Sequence, residues 1–265
     1  MLVYLHFARC AFQRRAAYRL ANWTGIAVNF FFFLIHAQVF YAFFRERPAM
    51  LGWSADDAVL YFATCESLLM VLGLMSAGAG GELAERVRRG DIAVDLVRPV
   101  RLWARFLAEG YGSAGYYAVT RMGVLYLAAV LLYDLPLPWR AAVLAAPASI
   151  VLAVGLSSAL LYLASATAFW TEQAHGTIQL VLLTAFFLGG VSVPLDFYPD
   201  GARLVADLLP FRGAIYTPVA IAAGKLEGGA LVFGLAHQVV WLGLLLFAAD
   251  RLERRGLARL AVVGG

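Results

Sequence analysis

Twenty consecutive residues, Gly25–Phe44, contain no Asp, Glu, Lys or Arg. A bilayer's hydrocarbon core is about 30 Å thick, and about 20 apolar residues of helix cross it. Stretches of the same kind recur five times. They are Ala58–Gly81, broken only by Glu66, Gly110–Tyr133, broken only by Arg121, and the uncharged runs within Ala141–Thr171, Gly176–Leu195 and Gly229–Ala249. Only 14% of the chain is charged, against about a quarter in ordinary globular domains. The runs are continuous rather than alternating, which is the pattern of helices and not of a barrel. The sequence therefore predicts an all-α integral membrane protein of six transmembrane helices. It forms a single domain over residues 1–265, with no room for a separate soluble catalytic domain.

Arginine placement sets the expected orientation. Arg9, Arg14, Arg15 and Arg19 precede the first span, Arg86, Arg88, Arg89, Arg98, Arg101 and Arg105 follow the second, and Arg251, Arg254, Arg255 and Arg259 follow the sixth. These alternate ends fall on one side, and the positive side is cytoplasmic. Both termini are thus expected in the cytoplasm. The first apolar stretch is too long for a cleaved signal peptide. Cys10 and Cys65 have neither metal-ligand spacing nor a placement that favours a disulfide.

Three segments outside the spans stand out. Residues 1–21 are loosely amphipathic, with His6, Arg9 and Gln13 on one side and Leu5, Ala8 and Phe12 on another, as in an interfacial helix. Residues 82–109 form the one long loop on the basic side. There Glu82 and Arg86, and Glu85 and Arg89, stand four apart, the spacing of helical ion pairs. Gly90 sits where a helix would end, before Asp91. Pro99 is placed to open a second helix carrying Trp103 and Phe106. Residues 195–228 are cut by Pro199, Pro210 and Pro218 after Pro194, which leaves pieces such as the one starting at Phe211 too short to cross. A re-entrant outer segment is expected.

Charges at mid-membrane are costly and mark function by default. Glu66 and Arg121 are expected to meet across adjacent helices. Asn29, His36 and Gln38 in the first span, with His237 and Gln238 in the sixth, suit interhelical hydrogen bonds. No phosphate-binding loop, zinc-protease signature or nucleophile elbow is present, and the four histidines are scattered. The chain is therefore not expected to be an enzyme, and nothing in it points to nucleic acid.

The run Arg86–Val100, RVRRGDIAVDLVRPV, together with Val193-Pro194-Leu195, Leu209-Pro210-Phe211, Pro218 and Gly224, resembles permease subunits of ATP-binding-cassette exporters of the type-two class, in a short bacterial branch. The resemblance implies a cytoplasmic ATPase subunit that binds ATP, so that this chain needs no cofactor of its own. It also implies a second permease, identical or different, and a place in the bacterial inner membrane. Glu82, Glu85, Arg86, Arg89, Gly90 and Asp91 would be the ATPase-coupling element. An ion-gradient-driven secondary transporter working through Glu66 and Arg121, or a noncatalytic scaffold, are the other readings. No inverted repeat of the kind found in secondary transporters is visible. The substrate is left open.

Overall fold

The computed structural model describes residues 2–46, 49–74, 80–97, 100–135, 140–171 and 173–263. The Arg98–Pro99 pair and residues 75–79 of the expected second span lie outside them. The described residues form helices α1 (Leu2–Ala17), α2 (Arg19–Glu46), α3 (Ala55–Leu69), α4 (Gly81–Arg89) and α5 (Ile92–Leu96). These are followed by α6 (Leu102–Tyr133), α7 (Arg140–Ala166), α8 (Ala168–Thr171) and α9 (His175–Leu188). A 3-10 turn at Leu195–Phe197 leads to α10 (Asp200–Leu208), α11 (Arg212–Ala222) and α12 (Gly228–Val263).

Among the described residues, four helices are long and apolar enough to cross a membrane: α2, α6, α7 and α12. The number becomes five if α10 and α11, bent by 81°, are one broken span. Of the six spans expected from the sequence, four to five are supported in this way. Among the described residues, the second and fifth apolar runs are helical over the 15 residues of α3 and the 14 of α9. At 1.5 Å per residue these reach about 21–23 Å, short of the hydrocarbon core. Glycine explains both shortfalls. Gly73 and Gly190, at φ 72° and 76°, end the runs in turns, and glycine inside a helix costs about 1 kcal/mol relative to alanine. Hydropathy counts such residues as apolar while the backbone leaves the helix.

α7 is the centre of the bundle, with 61% of its apolar window buried, against 11% for α2 and 17% for α12. α3 packs deep against α2, α6 and α11, and from Ala58 to Leu69 every residue except Glu66 is buried. The outward faces of α2 and α12, including Phe31, Val39, Val232 and Val240, are exposed apolar surface. Such faces belong against lipid or another subunit. α11 is buried from Arg212 to Ile221, whereas α10 exposes Leu204, Val205 and Leu208. Pro210 and Phe211 stand at the bend between them, and Pro194 accepts a hydrogen bond from Phe197 in the 3-10 turn, 3.0 Å. The proline-broken segment thus lays one short helix on the surface and sends the next into the bundle.

Both chain ends meet the 81–109 region. Tyr4 of α1 and Asp250 of α12 each contact Arg101. At the opposite end Lys225 pairs with Asp57 at 2.6 Å and donates to the Gly52 carbonyl at 3.2 Å, beside the capping box of Ser54 and Asp57 that opens α3. α1 lies along α6 as a docked helix. Its exposed residues mix Leu2, Val3, Leu5 and Phe12 with Arg9, Gln13 and Arg14, so apolar and charged groups are not segregated to opposite faces.

The α1–α6 crossing depends on Gly112. A Cβ there would stand 2.0 Å from the Ala8 carbonyl oxygen, a backbone atom that cannot move without moving α1. One turn on, Gly115 has only a Phe12 ring carbon at 3.9 Å. Gly112→Ala is expected to destabilise the protein by about 1–3 kcal/mol, as overpacking does, and Gly115→Ala to leave it nearly unchanged. Thermal unfolding midpoints in mild detergent compare the two.

Candidate functional site

The expected ion pairs of α4 both form, Glu82 with Arg86 at 3.1 Å and Glu85 with Arg89. They point in different directions. Leu83 is buried beneath the helix with Ile92, Leu102, Tyr162 and Phe169, which fixes the roll of α4. Glu82 and Arg86 then face the bundle, while Glu85, Arg88 and Arg89 face out. Gly90 closes the helix at φ 78°, its N–H donating to the Val87 carbonyl, the left-handed position that favours glycine. Asp91 is exposed and makes no side-chain cap.

On the inner face the pair becomes a closed ring. Arg86 donates to Asp95 of α5 at 2.7 Å, and Asp95 also accepts from Arg105 of α6. Arg105 pairs with Glu109 at 2.9 Å, Glu109 with Arg14 of α1 at 3.8 Å, and Arg14 with Glu82 at 3.5 Å. Three arginines and three carboxylates alternate, so every charge has two opposite neighbours. A cavity of about 50 Å³ lies among them. Arg105 also stacks over Phe7 of α1, 4.8 Å from the ring centroid.

The ring is graded in depth. The Asp95 and Arg105 side chains are 7% and 13% exposed, while Arg14 and Glu82 are 49% and 53% exposed. Burial alone would raise the Asp95 carboxyl. Hydrogen bonds from Arg86 and Arg105, with their charges, override it and hold the group below the usual carboxylate range. On the outer face, hydrogen bonds from Arg88 and Arg89 lower Glu85 to about 2. Both carboxylates are therefore ionised at neutral pH. A depressed carboxylate contributes stability above its unfolded value and loses it as pH falls below about 4, so the contributions of Asp95 and Glu85 are intact at neutral pH.

Reasoning from sequence missed the second anchor. Glu253 of α12, 2% exposed, accepts from the Leu102 and Trp103 backbone N–H groups at 3.3 and 2.9 Å and from the Tyr162 hydroxyl at 2.8 Å. A carboxylate from another helix thus caps α6, satisfying donors that open its first turn and complementing its dipole. Asp250 adds pairs to Arg101 and Arg254, each at 2.8 Å. The contacts to Arg101, Leu102 and Trp103 join residues about 150 positions apart, beyond any local sequence signal.

Among the described residues no ion pair joins Glu66 to Arg121, and that expectation is corrected. Arg121 sits in a π-helical turn, Ala118–Met122. It is 6% exposed and donates to the Asn22 side chain at 2.7 Å and to the Ala21 carbonyl at 3.1 Å. The π turn re-aims the side chain toward α2. The remaining polar residues act mostly as interhelical ties. Asn29 donates to the Glu66 backbone oxygen at 3.4 Å and Gln38 to the Tyr133 hydroxyl at 3.3 Å. Gln238, fully buried, bonds Ser149 through both amide atoms and also the Gly213 carbonyl. His36 bonds only within its own helix and stacks on Phe62 at 5.0 Å. Neither ring nitrogen of His237 has a partner. Among the described residues no group of three His, Cys, Asp or Glu side chains is placed to hold a metal ion.

A family model described as "ABC-2 family transporter protein" matches residues 26–264. No curated protein matches the chain. The matched span takes in α4, α5 and α6, whereas Arg14 and the rest of α1 precede it.

The grading of the ring predicts unequal costs. Asp95→Asn removes the charge that holds both Arg86 and Arg105 and is expected to destabilise by about 2 kcal/mol, the scale of hydrogen bonds to charged groups. Glu85→Gln, on the solvated face, is expected to leave the unfolding midpoint almost unchanged. Thermal unfolding monitored by tryptophan fluorescence separates them.

Proposed function

The chain belongs to the ABC-2 transporter family, and on that premise we propose that it is the permease subunit of an ATP-driven exporter in a bacterial inner membrane. Two permease subunits, identical or different, enclose the pathway, and a separate cytoplasmic ATPase hydrolyses ATP. The six membrane segments comprise the four long helices with the shorter α3 and α9, and both termini face the cytoplasm. The exposed apolar faces of α2 and α12 are the surfaces available to lipid and to the second permease.

The observation that carries the coupling role is the two-sided build of α4. Its outer face offers Arg88, Arg89 and Glu85 to a partner, and arginine suits such docking through bidentate contacts with carboxylates. Its inner face is tied through the ring to α1 and α6. A force on the outer face is therefore delivered to two membrane-proximal helices at once.

Glu82→Ala and Arg86→Ala are expected to insert and to bind the ATPase, yet to disconnect ATP binding from movement of α1. A fluorophore on the exposed Cys10 reads that movement without knowledge of the substrate. In the native complex ATP with vanadate should shift its emission, and both variants should lose most of the shift while still hydrolysing ATP when vanadate is left out. A full shift in both variants sinks the assignment.

A further inference from the structure

We infer that the protein holds the anionic headgroup of a membrane phospholipid in a cavity between α1, the end of α3, α6 and α7. The cavity is about 120 Å³, several times the roughly 10–15 Å³ that one water needs. Arg15 lines it, and its Nε is buried without a hydrogen-bond partner among the described residues. An unsatisfied buried donor is costly, and more so on a charged group, so a missing acceptor is the simplest resolution. Ser113 and Ser158 bring hydroxyls to the same space.

Charge favours an anion there. Glu82 and Glu109 reach the rim, but both are engaged in the ring, whose three arginines and three carboxylates cancel. Arg15 and Arg121 remain, sharing the Tyr117 ring at 5.8 and 4.9 Å from its centroid. Neither has a carboxylate partner among the described residues. Arg121 bonds only neutral oxygens. Of these two, Arg15 lines the cavity, and a guanidinium without a carboxylate partner beside hydroxyl donors is the chemistry that takes a phosphate.

The walls favour a lipid over a free anion. Beyond the polar groups the cavity is bounded by Met70, Leu72 and Leu161, apolar surface suited to the first part of an acyl chain. The site lies next to the charged ring that marks one end of the bundle, where a leaflet's headgroups stand. This inference rests on the cavity and its arginines and does not depend on ATPase coupling.

The test uses the full chain in mild detergent, with unfolding midpoints measured against dioctanoyl phosphatidylglycerol, dioctanoyl phosphatidylcholine and inorganic phosphate. Phosphatidylglycerol should raise the midpoint by several degrees, since a ligand bound only by the folded state stabilises it. Phosphatidylcholine should give less than half that shift, and phosphate at equal concentration none. Arg15→Gln should abolish the shift and Arg15→Lys should keep most of it. Ser113→Leu, which fills the cavity without touching a charge, should also abolish it and serves where Arg15→Gln fails to fold. Equal shifts from the two lipids, or a full phosphatidylglycerol shift in Arg15→Gln or Ser113→Leu, overturn the site. A shift from phosphate as large as that from phosphatidylglycerol overturns the lipid assignment.

Discussion

Six alternating charges, Arg14, Glu82, Arg86, Asp95, Arg105 and Glu109, close on themselves at one end of the helix bundle. An isolated surface ion pair contributes little, because solvent screens it and two long side chains lose freedom. A closed ring differs, since each side chain already fixed by one partner costs less to hold against the next. The deep Asp95–Arg105 contact also lies where screening is weak. The ring joins four helices, tying the short loop helices α4 and α5 to α1 and α6. Without it, α4 and α5 would rest on the bundle only through the apolar cluster around Leu83.

Polar groups do similar work elsewhere in the molecule. Glu253 caps α6 from a distant helix, Gln238 clamps α7 to α11 and α12, and Lys225 with Asp57 holds the opposite end together. In lipid the hydrophobic effect does not drive helices against each other, so packing and such hydrogen bonds carry more of the association. Two π-helical turns each contain a buried arginine, Arg121 in α6 and Arg212 in α11. Local widening of a helix rotates the residues after it and often marks a functional site. Arg212 is neutralised by Asp207, while Arg121 is held by the neutral oxygens of Asn22 and Ala21.

Local features of this architecture were readable from the chain. The uncharged runs announced membrane helices, and the four-residue spacing of Glu82 with Arg86 and Glu85 with Arg89 produced pairs that the structure contains. The end of α4 at Gly90 was equally plain. Non-local partners were not readable: Arg14 lies 68 positions from Glu82, and nothing in composition links them or brings Glu253 to Leu102. The expected Glu66–Arg121 pair rested on cost alone, without knowledge of the π turn that aims Arg121 at Asn22. The shortness of α3 and α9 was not readable for a similar reason. Hydropathy registers Gly73 and Gly190 as apolar neighbours but is blind to their left-handed backbone.

The most direct test of a coupling helix presented to a cytoplasmic ATPase is a photo-crosslinking residue at position 89, on the outer face of α4, in the protein in its native membranes. Mass spectrometry of the adducts should recover a soluble ATPase subunit from position 89 and not from position 204, on the exposed face of α10 at the opposite end. Recovery of no ATPase at position 89, with the protein isolated alone or with membrane partners only, would contradict the account and favour transport driven by an ion gradient.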